Sequence, residues 1–341
     1  MSGRIIAFPK DGNLYTEKLY VEVEKQGTLA LAGVWSLPWM RKNLRPGDLV
    51  HIHWPSFLYF EPRSRPRTGL RLVKMYVLLS FCRFRGATVV WTAHNLYPHD
   101  DGPNSVLHRI GRRIMVAFAD HVCVHGASAA TIVGREFHVA ESRMRIGHHP
   151  HWIDCYPNSV SRAESRARVG VGGGDYVYLF IGRCRPYKGL ESLIEAFRAA
   201  PQPSRLIIAG KFSSAGYQQE IAALIQDDRR VQLIARRIPD DEIQSFMNAA
   251  DCVVLPYRAV LTSGAALLAL SFGRPVVVPD LGSIRDHVDP RCGVLYAPDQ
   301  PNALATALID VRARQFDAAG IIDHVRHFTW ARLAADLLEF V

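Results

Sequence analysis

Two glycine-containing turns carry the residues best suited to chemistry. The first is Gly182-Arg183-Cys184-Arg185-Pro186-Tyr187-Lys188-Gly189. A guanidinium such as Arg183 can grip a phosphate through two parallel hydrogen bonds, and Lys188 adds a point charge. The second runs from Tyr257 to Thr262-Ser263-Gly264. Thr262 or Ser263 can cap the helix that follows, and Gly264 lets a ligand approach the backbone. Unpaired amides at a helix start favour anions, so two such turns suit a diphosphate. A third group is His94-Asn95-Leu96-Tyr97-Pro98-His99-Asp100-Asp101, the densest run of proton-handling side chains in the first half. Histidine exchanges protons near neutral pH, and a carboxylate aimed at a hydroxyl acts as a base.

Each group is placed by a strand. The apolar run Tyr176 to Ile181 reads as a buried parallel strand before the first turn, and Leu190 to Phe197 has helical spacing after it. Cys252 to Leu255 feeds the second turn, Ala265 to Phe272 is a helix, and Val276 to Pro279 is the next strand. Thr88 to Ala93 delivers the His94 loop. Arg4 to Pro9 and Leu49 to His53 are further strands, so Asn13, Tyr15, His53 and Trp54 fall in loops at strand ends, where aromatic and polar groups suit a sugar. Leu206 to Ala209, Val231 to Ile234 and Gly293 to Tyr296 continue the alternation of strand and helix that a parallel sheet demands. Ligands of such sheets bind outside the carboxyl ends of the strands.

The pattern G-R-x-x-x-x-K-G followed by S-G-x-x-x-x-x-x-x-G-R-P-V-V resembles the donor domain of GT-B glycosyltransferases. The resemblance implies an α/β fold of two Rossmann-like domains with parallel sheets facing across a cleft. The expected boundaries are 1–160 for an acceptor-binding domain, 161–327 for a nucleotide-sugar domain and 328–341 for a helix packing back on the first. The segments HIHWP, TAHNLYPHD, RPYKG and LPYRAVLTSGAALLALSFGRPVV are most similar to the xanthan-type β-mannosyltransferases, which use GDP-mannose. The donor would then meet Gly182, Arg183, Lys188, Gly189, Tyr257, Ser263 and Gly264. The acceptor would meet Asn13, Tyr15, His53 and Trp54. His94 matches a histidine that contacts the donor sugar or phosphate in such families.

Many retaining members carry two glutamates around the second turn. The matching positions here are Val260 and Leu268, which offer no carboxylate. That favours an inverting displacement, which needs a general base. Asp100 is the candidate, with Asp101 and His99 as competitors. A retaining α-glycosyltransferase, or a nucleotide-sugar binder without turnover, are the alternatives.

Charge adds a partner. Residues 1–160 hold 20 Lys and Arg against 12 Asp and Glu, whereas the remainder is nearly balanced, 21 against 20. A basic half suits an anionic membrane or a lipid diphosphate. Met75 to Leu79 reads as a domain helix with one buried face, and Arg63, Arg65 and Arg67 ahead of it are placed to meet headgroups. No nucleic-acid motif accompanies the charge. The six cysteines are scattered and the histidines of Gly147 to His151 lack nearby acids, so neither a metal nor another cofactor is expected. The start of the chain resembles no secretory leader. A cytoplasmic protein, peripheral on the inner face of the plasma membrane and active in exopolysaccharide or cell-surface glycan synthesis, is the expectation.

Overall fold

The computed structural model describes residues 3–98, 105–226 and 228–341. His99, Asp100 and Asp101 lie outside them. The described residues form two six-stranded, wholly parallel sheets. The chain divides into Met1–Pro150 with Phe328–Val341, and His151–His327.

In the first unit the strands are β1 Ile5–Phe8, β2 Ala30–Ala32, β3 Leu49–Ile52, β4 Thr88–Thr92, β5 His121–His125 and β6 Met144–Gly147, in the order β2-β1-β3-β4-β5-β6. All of β1 and β3 is buried, the signature of strands covered on both faces. The strand order reverses between β1 and β3, so the crevice for a ligand lies at their carboxyl ends. The Trp330–Leu338 helix belongs to this unit. Gln26 Nε2 donates to the Ala331 carbonyl at 2.8 Å, and the Trp330 ring lies 5.3 Å from that of Tyr15.

In the second unit the strands are β7 Tyr176–Ile181, β8 Ser204–Ala209, β9 Val231–Ile234, β10 Cys252–Val254, β11 Val276–Pro279 and β12 Gly293–Tyr296, ordered β12-β11-β10-β7-β8-β9. Here the reversal falls between β7 and β10, the two strands that feed the glycine turns.

The boundary lies ten residues before the expected 160, and local bonding explains it. The Trp152 amide donates to Ser271 Oγ at 2.8 Å, and the Ser159 amide to Gln244 Oε1 at 2.8 Å. These hold 151–160 in the second unit. The Arg162–Val169 helix follows directly. Arg166, buried, pairs with Asp251 at 2.7 Å and fastens that helix to the head of β10.

Candidate active site

The first turn leaves β7 at Gly182 and closes as a short 3-10 helix, Pro186–Lys188, before Gly189 and the Leu190–Phe197 helix. Gly189 has φ +71°, and a Cβ there would meet the Pro256 carbonyl oxygen at 2.1 Å. Glycine is therefore required on both conformational and steric grounds. The same contact packs this turn against the segment leaving β10.

Lys188 seals the junction. Its ammonium lies 4.0 Å from the centre of the Tyr257 ring and 5.1 Å from that of Tyr187. Such contacts contribute about 0.5–2 kcal/mol. Burial lowers the Lys188 pKa, while the Tyr187 hydroxyl opposes that shift. Tyr257 is buried and its hydroxyl shares a hydrogen bond of 3.0 Å with Ser263 Oγ. Ser263, not Thr262, is the cap of the Gly264–Ser271 helix, accepting from the Ala266 amide at 3.2 Å. Lys188, Tyr257 and Ser263 thus form a continuous support from the first turn to the second.

Beside this support opens a cavity of about 650 Å³, lined among others by Gly182, Arg183, Lys211, Arg237, Gly264 and Leu268. Its wall contains three cations and no carboxylate. Arg183 and Lys211 are exposed, and among the described residues neither side chain takes part in a hydrogen bond or an ion pair. Trp152 lines the same wall, fixed by its Nε1 donating to the Gly264 carbonyl at 2.9 Å. Of the residues expected to bind a donor, the structure brings Gly182, Arg183 and Gly264 to this surface. Lys188, Gly189, Tyr257 and Ser263 are not part of its lining.

Lys211 and Arg237 were missed in the sequence. Lys211 had a readable signal, because Ala209-Gly210-Lys211 repeats the strand-glycine-cation order of Ile181-Gly182-Arg183. A Cβ at Gly210 would lie 1.7 Å from the Gly182 carbonyl oxygen, so the two strand ends touch through their backbones. Arg237 follows β9 with no comparable signal.

The first unit gathers a different group at its strand ends. His94 is half-buried, stacked on Trp54 with ring centres 4.5 Å apart and met edge-on by Tyr15 at 4.8 Å. His53 Nδ1 lies 3.1 Å from His94 Nε2, and His53 Nε2 lies 2.8 Å from the Tyr20 hydroxyl. That hydroxyl also bonds His51 Nδ1 at 2.9 Å, and His51 Nε2 bonds Thr92 Oγ1 at 2.8 Å. Tyr15 bonds His125 Nε2 at 2.9 Å. Burial pushes the His51 pKa down to about 3. His53 and His94 are held well below the usual imidazole value by burial first and neighbouring rings second.

Three expectations for the acceptor side change in detail. Asn13 is the N-cap of the Leu14–Lys25 helix, its Oδ1 accepting from the Tyr15 amide at 2.9 Å, so a helix begins where a loop is expected. Tyr15 therefore sits in the first helical turn and points inward, 5% exposed. His53 is 1% exposed, behind His94 instead of in front of it. Trp54 remains half-exposed beside His94.

Among the described residues, Asp289, Cys292 and His324 bring metal-capable atoms within 4.8 Å of one another. Arg291 Nη2 and Nε already bond both Asp289 oxygens. That pairing withdraws the carboxylate from a metal, and the cluster is not part of the cavity wall.

Comparison with known proteins accords with this geometry. The family described as glycosyl transferases group 1 matches residues 175–313, which span β7 to β12 and both turns. The fold is GT-B, and residues 175–313 form a glycosyl transferases group 1 domain. Over 273 residues the chain is 28% identical to GDP-mannose:glycolipid 4-beta-D-mannosyltransferase of Xanthomonas campestris pv. campestris, covering 78% of this chain and 72% of that one. It is also 28% identical over 274 residues to D-inositol 3-phosphate glycosyltransferase of Nocardia farcinica, covering 74% and 60%. In fold it matches sucrose-phosphate synthase of Thermosynechococcus elongatus with a TM-score of 0.76 at 16% identity, over 99% and 98% of the two chains. Anabaena HepE in complex with UDP matches with a TM-score of 0.73 at 16% identity, over 99% of each chain.

Proposed function

We propose that this glycosyltransferase moves mannose from GDP-mannose to a lipid-linked saccharide, with inversion, during exopolysaccharide or cell-surface glycan synthesis. The observation that carries the reading is the cavity wall of Arg183, Lys211 and Arg237 without an acid. A nucleoside diphosphate brings the charge that such a wall lacks. Arg183 neutralises the diphosphate as it leaves, with help from the start of the Gly264–Ser271 helix. Cations in these positions do the work of a metal ion, so transfer proceeds without one. The mannosyl donor is supported by the name of the Xanthomonas relative. Leu268, on the cavity wall where retaining enzymes carry a glutamate, supports inversion. The inositol 3-phosphate glycosyltransferase relatives favour a second reading, transfer to a phosphorylated polyol, which product analysis separates.

The direct test is thermal unfolding with a panel of nucleotide-sugars. A ligand of the folded state at about 100 times its Kd adds about 2.7 kcal/mol. GDP-mannose is expected to raise the Tm by several degrees, and more than UDP-glucose does. No shift with any nucleotide-sugar would reject the donor site.

Membrane contact is part of the proposal, and the Arg65–Phe84 helix supplies it. No helix among the described residues is long and apolar enough to cross a bilayer. Leu72, Met75, Leu78, Leu79 and Cys82 form the buried face. Leu70, Val73, Val77 and Phe84 form a second apolar stripe at helical spacing. They are 72, 61, 47 and 85% exposed. Arg63, Arg65, Arg67, Arg71 and Lys74 are exposed alongside or ahead of it. An apolar stripe flanked by cations suits the surface of an anionic bilayer. Binding to vesicles containing phosphatidylserine is expected to weaken with salt and with reversal of Arg63, Arg65 and Arg67. Leu70→Ser with Phe84→Ser should weaken it at low salt too. Equal binding to neutral and anionic vesicles would overturn the electrostatic half of the idea.

A further inference from the structure

Four buried side chains lead away from His94 in one unbranched line. They are His53, Tyr20, His51 and Thr92, joined by hydrogen bonds of 3.1, 2.8, 2.9 and 2.8 Å. Each is at most 4% exposed. They come from β3 and the residue that follows it, from β4 and from the Leu14–Lys25 helix, so no single element makes the line.

The line has a direction because the Tyr20 hydroxyl has a single proton. It donates to one imidazole and must accept from the other. If both rings donated to it, its own proton would lack one of these partners, and if both waited to accept, one nitrogen would be unsatisfied. Either fault in a buried site costs about 1–3 kcal/mol. The rings therefore share one tautomer: all carry the proton on Nε2, or all carry it on Nδ1. Thr92 Oγ1 closes the line on His51 Nε2. A proton placed at any one of these bonds therefore sets all the others: the three rings change tautomer together or not at all.

We propose that Thr92, His51, Tyr20 and His53 are positioning residues that hold His94 in one neutral tautomer, the one shared by His51 and His53, so that its Nδ1 meets a sugar hydroxyl in a single fixed protonation state. The proposal rests on the reading of His94 as part of the transfer site. Among the described residues, the groups facing His94 are Tyr15, His53, Trp54, His125 and His149. None of these side chains is an acid or a strong cation, so His94 is surrounded by groups that leave it neutral. Trp54 and Tyr15 fix the plane of the ring, and the line fixes its protons. Burial, which keeps His51 and His53 uncharged, prevents the line from being broken by protonation near neutral pH. No proton needs to travel through it.

The test is NMR of the intact protein with nitrogen-15-labelled histidine, paired with GDP release from GDP-mannose. Wild type is expected to show one and the same tautomer for His51, His53 and His94 between pH 6.5 and 8, a range chosen around the ordinary imidazole pKa of about 6.5. Thr92→Val keeps the branched shape at the far end of the line and touches no part of His94. It should leave His94 as a mixture of tautomers and reduce kcat by about tenfold with KM for GDP-mannose within about twofold. Tyr20→Phe should leave His94 as a mixture of tautomers, with a similar loss of kcat. Different tautomers among the wild-type rings, or an unchanged His94 in both variants, would overturn the proposal. A tautomer change with unchanged kcat would overturn its role in transfer. If His94→Ala retains full turnover, the assignment of His94 to the site fails, while the NMR result still decides whether the line orders the ring.

Discussion

Replacing Arg183 by alanine is expected to lower turnover by roughly 10²–10³-fold, equivalent to about 2–4 kcal/mol of lost transition-state stabilisation. The guanidinium stands at the carboxyl end of β7, next to the reversal of strand order, on a cavity wall without acids. Charge accumulates on the diphosphate as the sugar leaves, so a fixed cation there stabilises the transition state more than the bound donor. Arg183 is exposed and carries no internal hydrogen bond among the described residues. Its loss should therefore leave the Tm nearly unchanged, as for surface positions generally. Lys188 differs. Its ammonium lies over Tyr187 and Tyr257, so Lys188→Ala removes packing as well as charge. That variant should lose turnover and also melt earlier, whereas Lys188→Arg should recover stability more than activity. Steady-state kinetics with calorimetry on both positions makes the distinction. Wild-type turnover in Arg183→Ala and Lys188→Ala together would remove the phosphate assignment.

Asp100→Asn is expected to cost roughly 10²–10⁴-fold in turnover with little change in donor affinity. By the resemblance to GT-B enzymes, Val260 and Leu268 match the positions of two glutamates in many retaining members, and Leu268 lines the cavity. An inverting displacement needs a base for the acceptor hydroxyl. Asp100 comes six positions after His94 in the sequence and lies outside the described residues. Asparagine keeps the size and hydrogen bonding of aspartate but does not take up the proton. The measurement pairs that rate with NMR of the anomeric configuration of the product. Retention would remove the inverting scheme. Inversion by a fully active Asp100→Asn enzyme would move the base to Asp101 or His99.

Much of the architecture was legible because its signals are local. Buried parallel strands such as Val177 to Ile181 and Val89 to Thr92 read as continuous apolar runs, since both faces are covered. The Leu190–Phe197 helix follows from spacing and from Gly189 before it. β2 and β6 were not legible. Both lie at sheet edges, β2 has three residues, and β6 is nowhere fully buried, so neither carries a long apolar run.

The sequence by itself determined the two turns, the strands that carry them, the missing glutamates at Val260 and Leu268, and the excess of positive charge before residue 160. Only tertiary structure decided which groups act together. Arg183, Lys211 and Arg237 are far apart in the chain, and they share a wall because parallel pairing sets the carboxyl ends of β7, β8 and β9 side by side. Lys188 and Tyr257 look like ligand contacts in a linear motif, yet packing of one turn on the other makes them its support. His51 and His53 alternate along β3 and so share a face, but the hydroxyl that joins them belongs to Tyr20 on a helix. Strand periodicity sets which way a side chain points, whereas its partner depends on which element is packed against that face, and that follows from the fold as a whole.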